Sequence, residues 1–222
     1  MRNNNTKHSL KNFLKKSYSR EKGITNAVAF VRGIYNRFLP YSNRISWKTW
    51  ESITDRDLMH DQRIRFFSEW IDDEDRTVVD LGCGKRLIES LLPKSCQYIP
   101  VDYQNRGART VVCDFNKKEY PEVRADVVLM ISVLQWIDYP LWLIEEACSH
   151  CNEKILFHYI TPCNSSDSII RLKREGEGIK NHLSPVEIIS EFNSHGFVLL
   201  KQSRIMIKNN RYELFLIFYK KH

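Results

Sequence analysis

An α/β fold, an open and mostly parallel sheet with helices on both faces, is what the sequence predicts, and three observations predict it. From residue 77 onward, short apolar strand-like runs alternate with helical patterns, the mark of successive strand–helix–strand units. The run Asp126–Ile131 is nearly all apolar, as in a strand covered on both faces. The chain closes on two long strand patterns, about 197–207 and 211–219, joined at Asn209-Asn210. That pair suits a tight hairpin turn, which adds an antiparallel edge.

Taken in order, Ile24, Ala27, Val28, Val31, Ile34, Tyr35 and Phe38 recur at three- and four-residue steps and predict a helix that Pro40 ends. A second helix is expected from Leu58 to Ile71, with Ile64, Phe67, Trp70 and Ile71 as its stripe. Asp72-Asp73-Glu74-Asp75 is a polar break. It divides a basic helical extension or lid, 1–72, from a core domain, 73–222. In the core, Thr77–Leu81, Tyr98–Val101, Thr110–Cys113, Asp126–Ile131 and Ile155–Ile160 read as strands. Leu87–Leu92, Leu141–Cys148 and Pro185–Ser194 read as helices, the last with Ser184 as N-cap and Gly196 just past its end.

The composition of the 222 residues, 42% apolar and 27% charged, is that of an ordinary globular protein. No apolar run reaches the roughly 18–20 residues needed to cross a bilayer, and the basic start lacks the apolar stretch of a secretory signal. A cytoplasmic protein is therefore expected. Six cysteines, mostly within apolar runs, read as buried thiols. Cys148 and Cys151 with His158 and Cys163 have the wrong spacing for a zinc knuckle, so no metal is expected. The net charge of +7 is uneven: residues 1–50 hold eleven Lys/Arg and one acid, so they carry +10 and the remainder −3. A basic start of this kind serves as a lid, the reading preferred here. It also fits peripheral membrane contact or an RNA partner.

The chemistry gathers at strand ends. A strand running into Asp80-Leu81-Gly82-Cys83-Gly84 and then a helix is a nucleotide-cofactor turn, where glycines let backbone approach a ligand closely. Eighteen residues after Gly84 the second strand ends at Asp102, an acid placed to accept ribose hydroxyls. The third ends at Asp114-Phe115, where an acid can accept an adenine amine. Three acids at the carboxyl ends of successive strands lie where open α/β sheets bind ligands. The dinucleotide alternative requires a third glycine where Leu87 stands.

Val78-Val79-Asp80-Leu81-Gly82-Cys83-Gly84, Val101-Asp102, Cys113-Asp114-Phe115 and the run from Ala125 through Ser132 to Leu134 resemble the successive motifs of class I S-adenosylmethionine-dependent methyltransferases. The resemblance spans about residues 75–220. It implies a Rossmann-like sheet of about seven strands with the last antiparallel, and S-adenosyl-L-methionine as cofactor. It further implies that Gly82 and Gly84 lie against the methionine part, with Asp80 near its amino group. Asp102, with Tyr103 beside it, would hold the ribose, Asp114 and Phe115 would frame the adenine, and Ser132 and Leu134 would line the site. One departure stands out: the third glycine that the family often carries two residues after Gly84 is Arg86 here.

For catalysis the candidates are His158, at the end of the fifth strand, and His182, in the loop before the next helix, because imidazole titrates near neutrality. Gln135 and Trp136 are candidates for the substrate rim. The expected activity is methyl transfer to an oxygen or nitrogen of a small or medium, glycan-like acceptor. The resemblance extends to bacterial enzymes of cell-surface polysaccharide or secondary metabolism. Two alternatives stand beside it: an RNA methyltransferase docking through its basic arm, and a non-catalytic binding module on the same fold.

Overall fold

The computed structural model describes residues 58–162, 167–207 and 211–221. The helix expected at 24–39, Cys163 and the Asn209-Asn210 turn lie outside the described residues. Contacts divide the chain into two compact units, one of residues 1–49 with 166–179 and one of 50–165 with 180–222.

The second unit opens with helix α1 (Leu58–Ser68), followed by strands β1 (Thr77–Leu81), β2 (Gln97–Asp102), β3 (Val111–Val112) and β4 (Ala125–Ile131). Helix α2 (Pro140–Ser149) and strand β5 (Cys151–Pro162) come next. Helix α3 (Ser168–Gly176) belongs to the first unit, capped by Asp167, whose side chain accepts from Ile169 N and Ile170 N. Helix α4 (Pro185–Ser194) and strands β6 (Phe197–Ile207) and β7 (Arg211–Lys220) complete the second unit.

The seven strands form one sheet in the order β3-β2-β1-β4-β5-β7-β6. The pairs among β1 to β5 are parallel, and β7 runs antiparallel to both β5 and β6. The expected fold class is the one observed. β4 is buried along nearly its whole length, which is why its sequence is a continuous apolar run rather than an alternating one. On one face of the sheet, Val79, Leu81, Met130, Phe157 and Leu216 pack with Leu143 and Ile144 of α2 and Ile188 and Phe192 of α4. On the other, Val78, Leu129, Leu156, Phe215 and Ile217 pack with Ile64 and Phe67 of α1.

Several boundaries differ from the sequence expectation. α1 buries its stripe in the core of the second unit, so its residues pack with the sheet although the sequence reading grouped them with the N-terminal extension. β3 shrinks to two exposed residues because it pairs only with the end of β2. β5 is twice the expected length because β7 pairs with it from Lys154↔Tyr219 to Pro162↔Arg211. Leu87–Leu91 is a 3-10 helix. α4 matches its expected span and carries a reciprocal capping box between Ser184 and Glu187.

Candidate functional site

The strand order reverses between β1 and β4, and in open α/β sheets the crevice at such a switch point, at the carboxyl ends, receives the ligand. The glycine bend follows β1. Gly82 has φ 77° and Gly84 φ 50°. The amides of Gly82 and Cys83 both donate to Val101 O, at 2.8 and 2.9 Å. Gly84 N donates to Asp102 Oδ2 at 3.1 Å, so the bend is tied directly to the acid that ends β2. A Cβ on Gly82 would stand 2.7 Å from Val133 Cγ2, which seals the bend against the residue two places beyond β4.

Arg86 adopts φ 57°, the left-handed conformation that glycine takes without strain. The cost is offset by its side chain, which donates to Glu89 and, at 2.7 Å, to Ala108 O. Arg109 also pairs with Glu89, at 2.6 Å. These contacts stitch the glycine bend to the segment after β2.

Asp102 is 2% exposed. Besides Gly84 N, its carboxylate accepts from Gln104 N at 3.1 Å and from Arg106 Nε at 3.1 Å. The Arg106 guanidinium also lies 5.5 Å from the centre of the half-buried Tyr103 ring. Asp80 is buried and accepts a 2.6 Å bond from Tyr98 OH. Burial pushes its carboxyl up to about 7, the Tyr98 bond opposing and the neighbouring Asp102 charge adding to the rise. A raised carboxyl favours the folded state while it is protonated. That contribution is complete below the ordinary 3.8 and is lost as the pH climbs to about 7. The free protein is therefore expected to lose on the order of 4 kcal/mol of unfolding free energy across that window. Asp80→Asn should flatten the slope, read by urea unfolding at pH 5 and pH 8; an unchanged slope refutes the assignment.

Asp114 caps the 3-10 turn Phe115–Lys117 by accepting from Asn116 N at 3.0 Å, and it remains partly exposed. The Phe115 side chain is buried in the core, so its ring is packing. Asn116 bridges to the end of β4, donating to Trp136 O at 3.3 Å and accepting from Asp138 N at 2.8 Å. Leu134 is likewise wholly buried, and Gln135 is 3% exposed.

Ser132 follows β4 directly with φ 59°, a rare conformation for a residue with a side chain. Its amide donates to His158 O at 3.2 Å and its carbonyl accepts the Trp136 indole at 3.0 Å. Its hydroxyl lies 2.7 Å from His158 Nδ1. His158 is fully buried, and Nε2 stands 3.7 Å from Glu213 Oε2. Glu213 in turn accepts two bonds from the buried Arg63. Burial opposes ionisation of Glu213, but His158 and Arg63 hold its carboxyl down to about 2. A cavity of about 130 Å³ adjoins this chain, walled by Arg63, Phe66, Ile205, Glu213 and Phe215.

His182 is half-buried in the loop before α4. That loop is fastened to the turn after β4 by Asn181, whose amide donates to Leu134 O at 2.6 Å and Ile137 O at 3.0 Å and whose Oδ1 accepts from Tyr159 OH at 2.8 Å. Lys180 adds a 2.7 Å ion pair to Asp138. Asn181, Arg63, Arg106 and Glu213 were absent from the sequence-based candidates. Only Glu213 left a signal, as a charge inside the apolar run of β7.

Comparison with known proteins follows the same line. A family profile described as a methyltransferase domain matches residues 50–202. No curated protein matches the chain. Among solved structures, magnesium protoporphyrin IX methyltransferase from Synechocystis PCC 6803 is similar at 14% identity and TM-score 0.61, over 85% of this chain and 99% of that one. The 1,6-didemethyltoxoflavin-N1-methyltransferase of Burkholderia thailandensis is similar at 15% identity and TM-score 0.56, over 76% and 83%. The N-terminal domain of EvdMO1, solved in the presence of S-adenosylhomocysteine and D-fucose, follows at 10% identity and TM-score 0.51, over 72% and 82%.

Proposed function

The chain belongs to the methyltransferase domain family, and from that premise we propose that it moves the methyl group of S-adenosyl-L-methionine to an oxygen or nitrogen of a small or medium acceptor. The observation that carries this reading is the convergence of the glycine bend with Asp80 and Asp102 on the switch-point crevice. The donor set fits such a ligand. Asp102 offers acceptors to vicinal hydroxyls, and a cation bound beside Asp80 favours the ionised form of that raised carboxyl and pairs with it. When bound, the cofactor supplies a methyl group made electrophilic by the positive sulfur.

The protein's own groups orient the reactants and keep water out. Gly82 and Gly84 give the methionine part close backbone approach, with Asp80 toward its amino group. Asp102 holds the ribose, with Tyr103 alongside. Asp114 and the Phe115 backbone frame the adenine, and Ser132 and the Leu134 backbone close the opposite wall. His182, on the loop fastened by Asn181, serves the acceptor side. A bound 1,6-didemethyltoxoflavin in one similar structure, D-fucose present with another and the porphyrin in the name of a third support an acceptor of small or medium size, glycan-like ones included. Bacterial cell-surface polysaccharide or secondary metabolism is the setting proposed for it. Among the described residues no helix is long and apolar enough to cross a membrane.

Asp102→Ala should weaken binding of S-adenosylhomocysteine more than ten-fold in calorimetry, through loss of charge-assisted bonds worth about 1.5–3 kcal/mol each. Undiminished affinity in a folded variant rejects the ribose assignment.

A further inference from the structure

Ser132 is strained where strain is unnecessary for the sheet. A residue with a Cβ held at φ 59° is strained, and glycine would occupy the place freely. What the serine adds is its hydroxyl, aimed at His158 Nδ1 from the carboxyl edge of β4. Behind it the residues form a line. His158 lies on the α1 face of β5, with the Phe215 ring 4.9 Å away between centroids. Glu213 lies beyond Nε2, and Arg63 beyond Glu213. A buried carboxylate facing Nε2 favours the tautomer with its proton on Nε2, which leaves the Nδ1 lone pair to receive the Ser132 hydroxyl. Val133, the next residue, packs on the glycine bend, so Ser132 stands at the switch point itself.

We propose that Ser132 is a catalytic residue of the methyl transfer, its hydroxyl taking the acceptor's proton while His158 and Glu213 act as positioning residues that receive and balance that proton. The inference rests on the methyltransferase reading above. In the step, the acceptor O–H or N–H proton passes to Ser132 Oγ as the serine proton passes to His158 Nδ1. The freed electron pair of the acceptor forms the bond to the methyl carbon, and the carbon–sulfur pair stays on sulfur. The imidazolium so formed faces Glu213, whose own charge is held in place by Arg63.

The test needs no knowledge of the acceptor. Full-length protein is treated with methanesulfonyl fluoride, and the modified peptide is located by mass spectrometry. A serine hydroxyl with a working base attacks the sulfonyl sulfur, expels fluoride and passes its proton to His158. Labelling at Ser132 that falls about a hundred-fold in His158→Gln supports the relay, since a positioned general base contributes 10²–10⁴-fold. An unlabelled Ser132 in the native protein, or labelling that survives His158→Gln, overturns it. Should His158→Gln fail to fold, ¹⁵N NMR of the native imidazole decides: a bare Nδ1 with a protonated Nε2 supports the relay, and a protonated Nδ1 overturns it. Calorimetry with S-adenosylhomocysteine on the same samples separates the two ideas. Binding without labelling removes only the relay, and absence of binding removes the methyltransferase reading.

Discussion

Glu213→Ala is expected to destabilise the protein by about 3–5 kcal/mol, the usual consequence of removing one partner from a buried ion pair. Glu213 is 1% exposed and Arg63 is 5% exposed, so the orphaned guanidinium has no ready access to water. His158, itself at 0% exposure, loses the charge facing Nε2 at the same time. The acid side of the stability profile should show the same group. Its carboxyl is depressed from 4.5 to about 2, so its stabilisation is present above 4.5 and disappears as the pH falls toward 2. On the order of 3 kcal/mol is at stake. Replacing both charges, as Glu213→Gln with Arg63→Met, should cost much less than Glu213→Ala, because no uncompensated charge remains. Urea unfolding of the three proteins checks this. A loss below about 1 kcal/mol for Glu213→Ala would mean that the pair is not buried in solution.

Gly82→Ala is the second large effect. At φ 77° an alanine is forced into the left-handed region, costing about 1–2 kcal/mol. Its Cβ would also overlap Val133, 2.7 Å from Cγ2 and 2.9 Å from Cβ. Overpacking of this kind adds about 1–3 kcal/mol. The total is about 2–5 kcal/mol, and the bend is pushed away from Val101 O and Asp102. Cofactor affinity should therefore fall more than ten-fold even where the fold survives. Val133→Ala in the same chain should restore part of the stability but not all, since it removes the γ carbons and leaves Cβ in the way. Thermal unfolding with parallel calorimetry of S-adenosylhomocysteine reads both quantities. Full rescue, or no loss to rescue, contradicts the close approach.

What the sequence made legible was whatever depends on local pattern. The all-apolar β4, the glycine bend and the hairpin strands each follow from neighbours in the chain, and all were placed. The acids Asp80, Asp102 and Asp114 were visible because strands end where ligands bind. Contacts between distant residues were not: Arg63 and Glu213 are 150 positions apart, and nothing near Arg63 marks it as a partner. The fate of His158 was hidden for a related reason. Its place at a strand end suggests an edge, yet the antiparallel pairing of β5 with β7 carries the strand past it to Pro162 and buries it. In the sequence Arg86 reads as a departure from the glycine pattern and as a cation at a solvated helix start, whereas the backbone retains the glycine conformation and the side chain is tied to Glu89 and Ala108 O. Helix α3 carries an ordinary capping signal in Asp167, two residues ahead of Ile169, but its nine residues are too short for a helical stripe to stand out.

The arrangement at Asp102 bears on how any diol reaches it. Four lone-pair positions serve a carboxylate, and Gly84, Gln104 and Arg106 already engage three of them. On the proposed ribose assignment, two hydroxyls need one position more than remains, so one of the three present bonds gives way. The enthalpy of complex formation then includes the rupture of that bond as well as the formation of new ones.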